Sequence, residues 1–472
     1  MEFDRNRYQI EALTAGGSGI TVRAFRDLVY VDKPVNREYQ RMHIFAPEAY
    51  YRGGSINGYT LHTAPIFMPN MVGGYMPGLP GDPAGMPWDR QDTPNTLFRA
   101  LEHGYVVAAP AIRGRVQQDE TGIYTGKAPA CVVDHKAAVR YLRHFARELP
   151  GDVNKIITNG TSAGGALSSL MGATGNHPDY DVYLDRVGAA KERDDIFAAS
   201  CYCPITNLDH ADMAYEWQFL GVNTLPRTRQ VTDPEGNTIF ETYECPMSSG
   251  QIRASADLAK GFPAYVNSLD LVDGSGKGLT LDEDGTGSFL EYVKTIVAAS
   301  AQRAMDGGTD LTAKAWLGLE QGKAVSVDWP GYVKDITRLK VAPAFDGLCL
   351  ETPENDLFGD AVRNLCHFTA YSLEHSQTAG TMADAMAVKL LNPMYYVDDD
   401  QATAAPHWRI RHGECDRDTS LAISAILTLK LRQQGRDVDY HAPWNVPHAG
   451  DYDLDELFAW IDGICREETA LL

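Results

Sequence analysis

The string Gly160-Thr161-Ser162-Ala163-Gly164-Gly165 lies between an apolar strand-like run, Lys155-Ile156-Ile157, and a helix-forming stretch that begins at Ala166. A strand, a tight glycine-flanked turn and a helix in immediate succession constrain the fold more than any other segment. A serine at the apex of such a turn is strained, so small neighbours are needed on both sides. The helix that follows sets a positive dipole end beneath it. A G-x-S-x-G string alone is weak, since a glycine-rich turn capped by serine looks the same. The strand–turn–helix context is what makes Ser162 a candidate nucleophile.

The surrounding chain agrees with a parallel sheet covered by helices on both faces. Strand signals at Gln40–Ala46, Ala64–Met68 and Tyr105–Ile112 alternate with helical signals at Thr96–His103 and Cys131–Phe145. The same alternation returns near the end, with Trp408–Arg411 and Val438–Ala442 as strands and Leu421–Leu431 and Leu454–Ile464 as helices. From about Asn207 to Tyr395 the texture changes to helices separated by acidic, glycine-rich loops such as Asp282-Glu283-Asp284-Gly285. The expected fold class is α/β, an α/β-hydrolase fold with a large, mainly helical lid insertion. Residues 1–206 and 393–472 form the catalytic domain in this reading, and residues 207–392 the inserted lid.

A nucleophilic serine needs a base, and the base an orienting acid. In α/β hydrolases these follow in the order Ser, Asp or Glu, His, the acid after a late strand and the His after the last. Asp416 lies just beyond Trp408–Arg411, and His448 in Pro447-His448-Ala449-Gly450 lies beyond Val438–Ala442. The interval between them holds one helix and one strand. Glu414 and Asp418 compete with Asp416 for the acid role, whereas His412 and His441 fall within strand patterns and are expected to pack. Oxyanion donors are expected at the Ala163 N–H and in the loop containing Gly73-Gly74, where glycine permits close backbone approach.

Composition narrows the partners. Sixty-three Asp and Glu against 42 Lys and Arg leave a net charge of −21, which disfavours polyanions, so nucleic acid is not an expected partner. No apolar run approaches the ~18 residues a membrane span needs. The N-terminus opens Met1-Glu2-Phe3-Asp4-Arg5 without an apolar core, so a cytoplasmic protein without membrane association is the expectation. The 8 cysteines show no C-x-x-C spacing and read as mostly buried, reduced thiols rather than a zinc ribbon.

Eight strings carry a more specific likeness: NGTSAGGA, PNMVGGYMPG, DMAYEWQF, KVAPAFDGL, ETPENDLFGDA, HWRIRHG, DRDTS and PHAGDYDL. Together they closely resemble the bacterial tannases, tannin acyl hydrolases of the lactobacillus type, across essentially the whole chain. The fungal type links cysteines beside its Ser and His. Here Thr161 precedes Ser162 and Ala449 follows His448, so that type does not fit. The resemblance implies a Ser162–His448–Asp416 triad and an oxyanion hole from Gly74 and Ala163. It further implies that Lys340, Glu354 and Asp418 bind the three phenolic hydroxyls of a galloyl group, whose ring Ile205 and Pro353 sandwich. Small phenolic esters, gallate esters and gallotannins, are the implied substrates. No metal or organic cofactor is expected, and a monomer is the default. Rival readings are a broader feruloyl or protocatechuoyl esterase, a serine exopeptidase, and a hydrolase-fold binding protein without turnover.

Overall fold

The computed structural model describes residues 1–86, 93–232 and 237–471. Nine strands form one sheet: β1 (Gln9–Ala15), β2 (Ser18–Val29), β3 (Arg41–Pro47), β4 (Pro65–Pro69), β5 (Val106–Pro110), β6 (Asp152–Thr161), β7 (Ala198–Tyr202), β12 (His407–Arg411) and β13 (Asp437–His441). Between β7 and β12 lie two separate hairpins, β8 (Thr224–Thr232) with β9 (Thr238–Pro246), and β10 (Leu317–Glu320) with β11 (Lys323–Val327). The sheet order is β1-β2-β3-β5-β4-β6-β7-β12-β13. The first three strands are antiparallel to their neighbours, and β5, β4, β6, β7, β12 and β13 run parallel.

The pattern of burial explains the layout. β4, β5 and β7 are buried at every position, as strands covered on both faces must be. Helices Ala130–His144 and Ala163–Ala173 are buried over nearly their whole circumference beside them. The chain is thus an α/β-hydrolase fold with a mostly parallel sheet. One apolar core runs from this sheet into the segment between β7 and β12, where Phe262, Phe289, Val293 and Tyr332 belong to it.

That segment contains the expected helices, including Leu208–Gln218, Ser249–Ser268, Ser288–Asp306 and Trp329–Ile336. The two hairpins were not expected there. β8 and β9 are exposed along most of their length, so they carry little of the in–out alternation that marks a half-buried strand. Among the described residues, no helix is long and apolar enough to cross a membrane.

Because β4, β6, β7, β12 and β13 are parallel, their carboxyl ends share one rim of the sheet. The loops leaving that rim contain residues 70–75, 162, 203–205, 412–418 and 442–448. In open α/β sheets this is where ligands bind.

Candidate active site

Ser162 is the residue between β6 and the helix Ala163–Ala173, with φ 62° and ψ −122°, a conformation that L residues rarely adopt. Its N–H donates to the Tyr202 carbonyl (3.0 Å), so the end of β7 holds the turn in place. The flanking glycines are required by space. A Cβ on Gly160 would run into the Gly164 carbonyl and the Asn70 side chain, and one on Gly164 would lie 2.8 Å from the Val72 oxygen. Asn70 then staples the turn to the loop after β4. Its amide donates to Asn159 O (3.2 Å) and Gly164 O (3.0 Å), while its oxygen accepts from Val72 N–H (3.3 Å).

His448 and Asp416 come together from the last two loops. His448 Nδ1 lies 2.8 Å from Asp416 Oδ2, and Asp416 Oδ1 accepts the Asp418 N–H at 2.8 Å. Burial opposes ionisation of Asp416, but the bond to His448 and the nearness of His412 hold its carboxyl below the usual range. Burial likewise disfavours a charged His448, yet the Asp416 carboxylate raises it above the ordinary imidazole value. Nδ1 is thereby committed to the acid, which leaves Nε2 for proton transfer. Behind this pair, Asn445 N–H (3.2 Å) binds Glu414, whose carboxyl burial pushes up to about 7. Glu414 faces a cavity of about 250 Å³ with Lys314, Asp335 and Trp444, while Asp416 is the carboxylate on His448.

The loop after β4 carries Gly74 at φ 54°, and Arg115 Nε donates to the Gly74 carbonyl at 2.8 Å. Arg115 also pairs with Asp356, on the short helix Pro353–Leu357 that contains Glu354. Ala163 begins its helix, where an N–H has no intrahelical acceptor. Ile205 is buried beside the elbow, its N–H 3.4 Å from Ser162 O. Pro353 is exposed at the first position of its helix.

Lys340 Nζ lies 3.9 Å from Asp418 Oδ1 and 4.2 Å from the centre of the Phe345 ring. Glu354 is buried; burial raises its carboxyl, Lys340 and Arg115 oppose the rise, and Asp418 adds to it. The three charged groups therefore sit within electrostatic reach of one another. Their supports were not anticipated from sequence. Tyr215 Oη accepts from the Leu339 and Lys340 N–H groups (3.1 and 3.0 Å) and donates to Arg417 O (2.9 Å). Arg338, fully buried, donates to Lys340 O (2.8 Å) and to Glu216 Oε1 (2.6 Å). Tyr215 and Glu216 inside a helical pattern give no sequence signal beyond ordinary amphipathicity, and Arg338 lies in the loop after Trp329–Ile336.

Three other side chains complete the surroundings. Cys203, buried just past β7, places Sγ 3.9 Å from His448 Nε2. His412, expected to pack, is buried with Nδ1 2.9 Å from Ser424 Oγ, and its other nitrogen faces Asp416 at 4.0 Å. His441 is instead part-exposed, its Nε2 on Asp439 at 2.8 Å. None of the 8 cysteines is in a disulfide and five of them are buried, as the reduced-thiol reading expects. Among the described residues, Cys203, Asp416 and His448 are the one group of ligand atoms close enough to hold a metal ion.

Comparison with known proteins places this geometry. The BD-FAE family matches residues 87–221. No curated protein matches the chain. Among solved structures, tannase from Lactobacillus plantarum is 45% identical, with 98% of this chain and 99% of that one covered and a TM-score of 0.93. Fusobacterium nucleatum tannase is 46% identical at a TM-score of 0.92, covering 98% of this chain and 99% of its own. A tannin acyl hydrolase in complex with ethyl gallate matches at 44% identity and a TM-score of 0.92, with 98% of both chains covered. The same holds for one in complex with 3,4-dihydroxybenzoate. Identity at this level over nearly the full length of both partners, on the same fold, means that the chain belongs to the tannases, the tannin acyl hydrolases, a family of carboxylic ester hydrolases.

Proposed function

We propose that this enzyme hydrolyses galloyl esters to gallic acid through Ser162, His448 and Asp416. The observation that carries the reading is the His448–Asp416 bond at 2.8 Å beside a serine in the strained elbow conformation, with Lys340, from the segment between β7 and β12, 3.9 Å from Asp418. The bound ethyl gallate of the related tannin acyl hydrolase supports the substrate class. His448 Nε2 takes the Ser162 proton as Oγ attacks the ester carbonyl. The Ala163 N–H and the Gly74 N–H stabilise the oxyanion. The ester C–O bond then breaks, the alcohol leaves with the proton held by His448, and a galloyl-serine ester remains. Water attacks that ester with the same base and releases gallate.

The phenolic ring sits between Ile205 and Pro353 in this reading. Its hydroxyls donate to the Glu354 and Asp418 carboxylates, and Lys340 binds the phenol oxygen with most negative character. Residues 207–392 act as the lid that supplies Lys340 and Glu354. A ring lacking these hydroxyls leaves buried polar groups unpaired, which is how such a site discriminates. The test compares methyl gallate with methyl ferulate in Glu354→Ala and Lys340→Ala. Both variants are expected to lose gallate preference by tenfold or more, and an unchanged preference refutes the clamp. The 3,4-dihydroxybenzoate held by a relative favours a second activity on protocatechuate esters, with one hydroxyl contact fewer.

A further inference from the structure

Ester hydrolysis leaves one donor beside the base unused. Cys203 follows β7 with φ 35°, and its N–H is tied to Arg411 O at 2.6 Å, so the backbone holds the thiol in one place. Sγ lies 3.9 Å from His448 Nε2 and 3.4 Å from Ala449 O. The ligand atoms of Cys203, Asp416 and His448 all fall within 4.8 Å of one another. A thiolate and an imidazole on one tetrahedral Zn²⁺, with Zn–S of about 2.3 Å and Zn–N of about 2.0–2.1 Å, sit roughly 3.6 Å apart. The observed 3.9 Å is within a side-chain adjustment of that distance. Asp416 on Nδ1 plays the part of the carboxylate that commonly backs a metal-bound histidine, since it fixes the tautomer with its Nε2 lone pair outward.

We propose that Cys203 and His448 form a two-ligand site for a thiophilic divalent cation, Zn²⁺ or Cd²⁺, and that its occupancy switches the esterase off. Thiolate and imidazole select such ions over Mg²⁺ or Ca²⁺, which prefer oxygen ligands. Binding forms an S–metal and an N–metal bond and releases the thiol proton to solvent. Water fills the remaining positions. With Nε2 coordinated, His448 has no lone pair for the Ser162 proton. The inhibition rests on the role assigned to His448 above, whereas the binding does not.

The experiment titrates Cd²⁺ into the full-length protein and records both the ultraviolet charge-transfer band of a cadmium thiolate and the rate of methyl gallate hydrolysis. Wild type is expected to show the band, to lose activity in step with it, and to recover with EDTA. Cys203→Ala retains esterase activity but binds and responds at least about tenfold more weakly, the usual cost of losing a metal-site partner. Cys203→Ser, closer in shape, gives the same result if the alanine variant folds poorly. Cys349→Ala, which removes an exposed thiol, behaves as wild type. Ser162→Ala has no turnover yet keeps the band, so metal binding is read independently of the reaction. A band and an inhibition that persist unchanged in Cys203→Ala and Cys203→Ser overturn the site. Full occupancy with full activity overturns the switch.

Discussion

Tyr215→Phe removes one oxygen atom and tests whether the substrate end of the site is held by its supports. Tyr215 is fully buried, and its hydroxyl makes three hydrogen bonds: it accepts from the N–H groups of Leu339 and Lys340 and donates to Arg417 O. The ring stays, so packing against Phe219 and Phe345 is kept. What is lost is the bridge between the loop bearing Lys340 and the loop bearing Asp416 and Asp418. An unsatisfied buried donor or acceptor costs about 1–3 kcal/mol, and the three are not additive because they share one partner, so a total of about 2–4 kcal/mol is expected. At roughly 2.1 cal/mol/K per residue, unfolding this 472-residue chain has an entropy near 1 kcal/mol/K. The expected fall in Tm is therefore about 2–4 °C, readable by scanning calorimetry.

The functional consequence separates two possibilities. If Tyr215 positions Lys340, kcat/KM for methyl gallate falls by about tenfold, equivalent to about 1.4 kcal/mol of transition-state binding. Turnover of a small acetate ester, which has no phenol to clamp, stays near wild type. Equal losses on both substrates would mean that the disturbance reaches Asp416 and His448, and would refute the assignment to the clamp. A Tm within 1 °C of wild type would refute the hydrogen-bond accounting itself.

Three further outcomes follow from the same geometry. In the proposed mechanism protonated His448 cannot take the Ser162 proton, so activity is expected to fall as pH drops through its pKa. Because Asp416 raises that pKa, the acid limb of kcat/KM lies above the ordinary imidazole value of about 6.5, and Asp416→Asn moves it down while lowering kcat by about 10⁴. Arg338→Met strands the buried Glu216 carboxylate and costs about 3–5 kcal/mol by denaturant titration, and adding Glu216→Leu restores most of it. Burial opposes ionisation of Asp462, yet donors from His103, Tyr59, Asn57 and Tyr105 hold its carboxyl at about 2. This depressed carboxylate stabilises the fold fully above the ordinary Asp range and loses that effect as pH falls through about 2. Asp462→Asn is therefore about 1–3 kcal/mol less stable than wild type at neutral pH, and the gap closes near pH 2.

Legibility in the sequence tracked how local each constraint is. The elbow is written in six consecutive residues because Gly160 and Gly164 face backbone and Asn70 at contact distance, where no side chain fits. The buried strands β4, β5 and β7 stand out because residues covered on both faces are apolar without interruption. The expected strand–helix alternation overlooks the antiparallel β1 and β2, although Gly16-Gly17 between them carries a two-residue hairpin signal. Exposed β8 and β9 have no core face and so no period to read. Asn70, Arg115 and Tyr215 were illegible for another reason: each acts through backbone groups 40 or more residues away, and such pairing leaves no spacing in the sequence.

The same distinction explains how a strongly acidic chain holds a polar site together. The carboxylates that matter to the site are spent on fixed partners: Asp416 on His448, Asp356 on Arg115 and Lys127, Glu216 on Arg338, Asp453 on Arg409 and Arg411. Asp416 and Asp453 tie loops after β12 and β13 to their neighbours, Glu216 and Asp356 brace the segment between β7 and β12, and each pair is buried enough that removing one partner leaves a charge with little solvent. Glu354 and the Lys340–Asp418 pair differ. Lys340 and Asp418 keep about a quarter of their side chains exposed at a loose 3.9 Å, and the Lys340 and Arg115 charges only partly offset the burial that raises the Glu354 carboxyl. In the proposed clamp, groups held near one another without being fully satisfied are the ones free to bind a ligand's hydroxyls, and the tight pairs around them keep that arrangement from collapsing on itself.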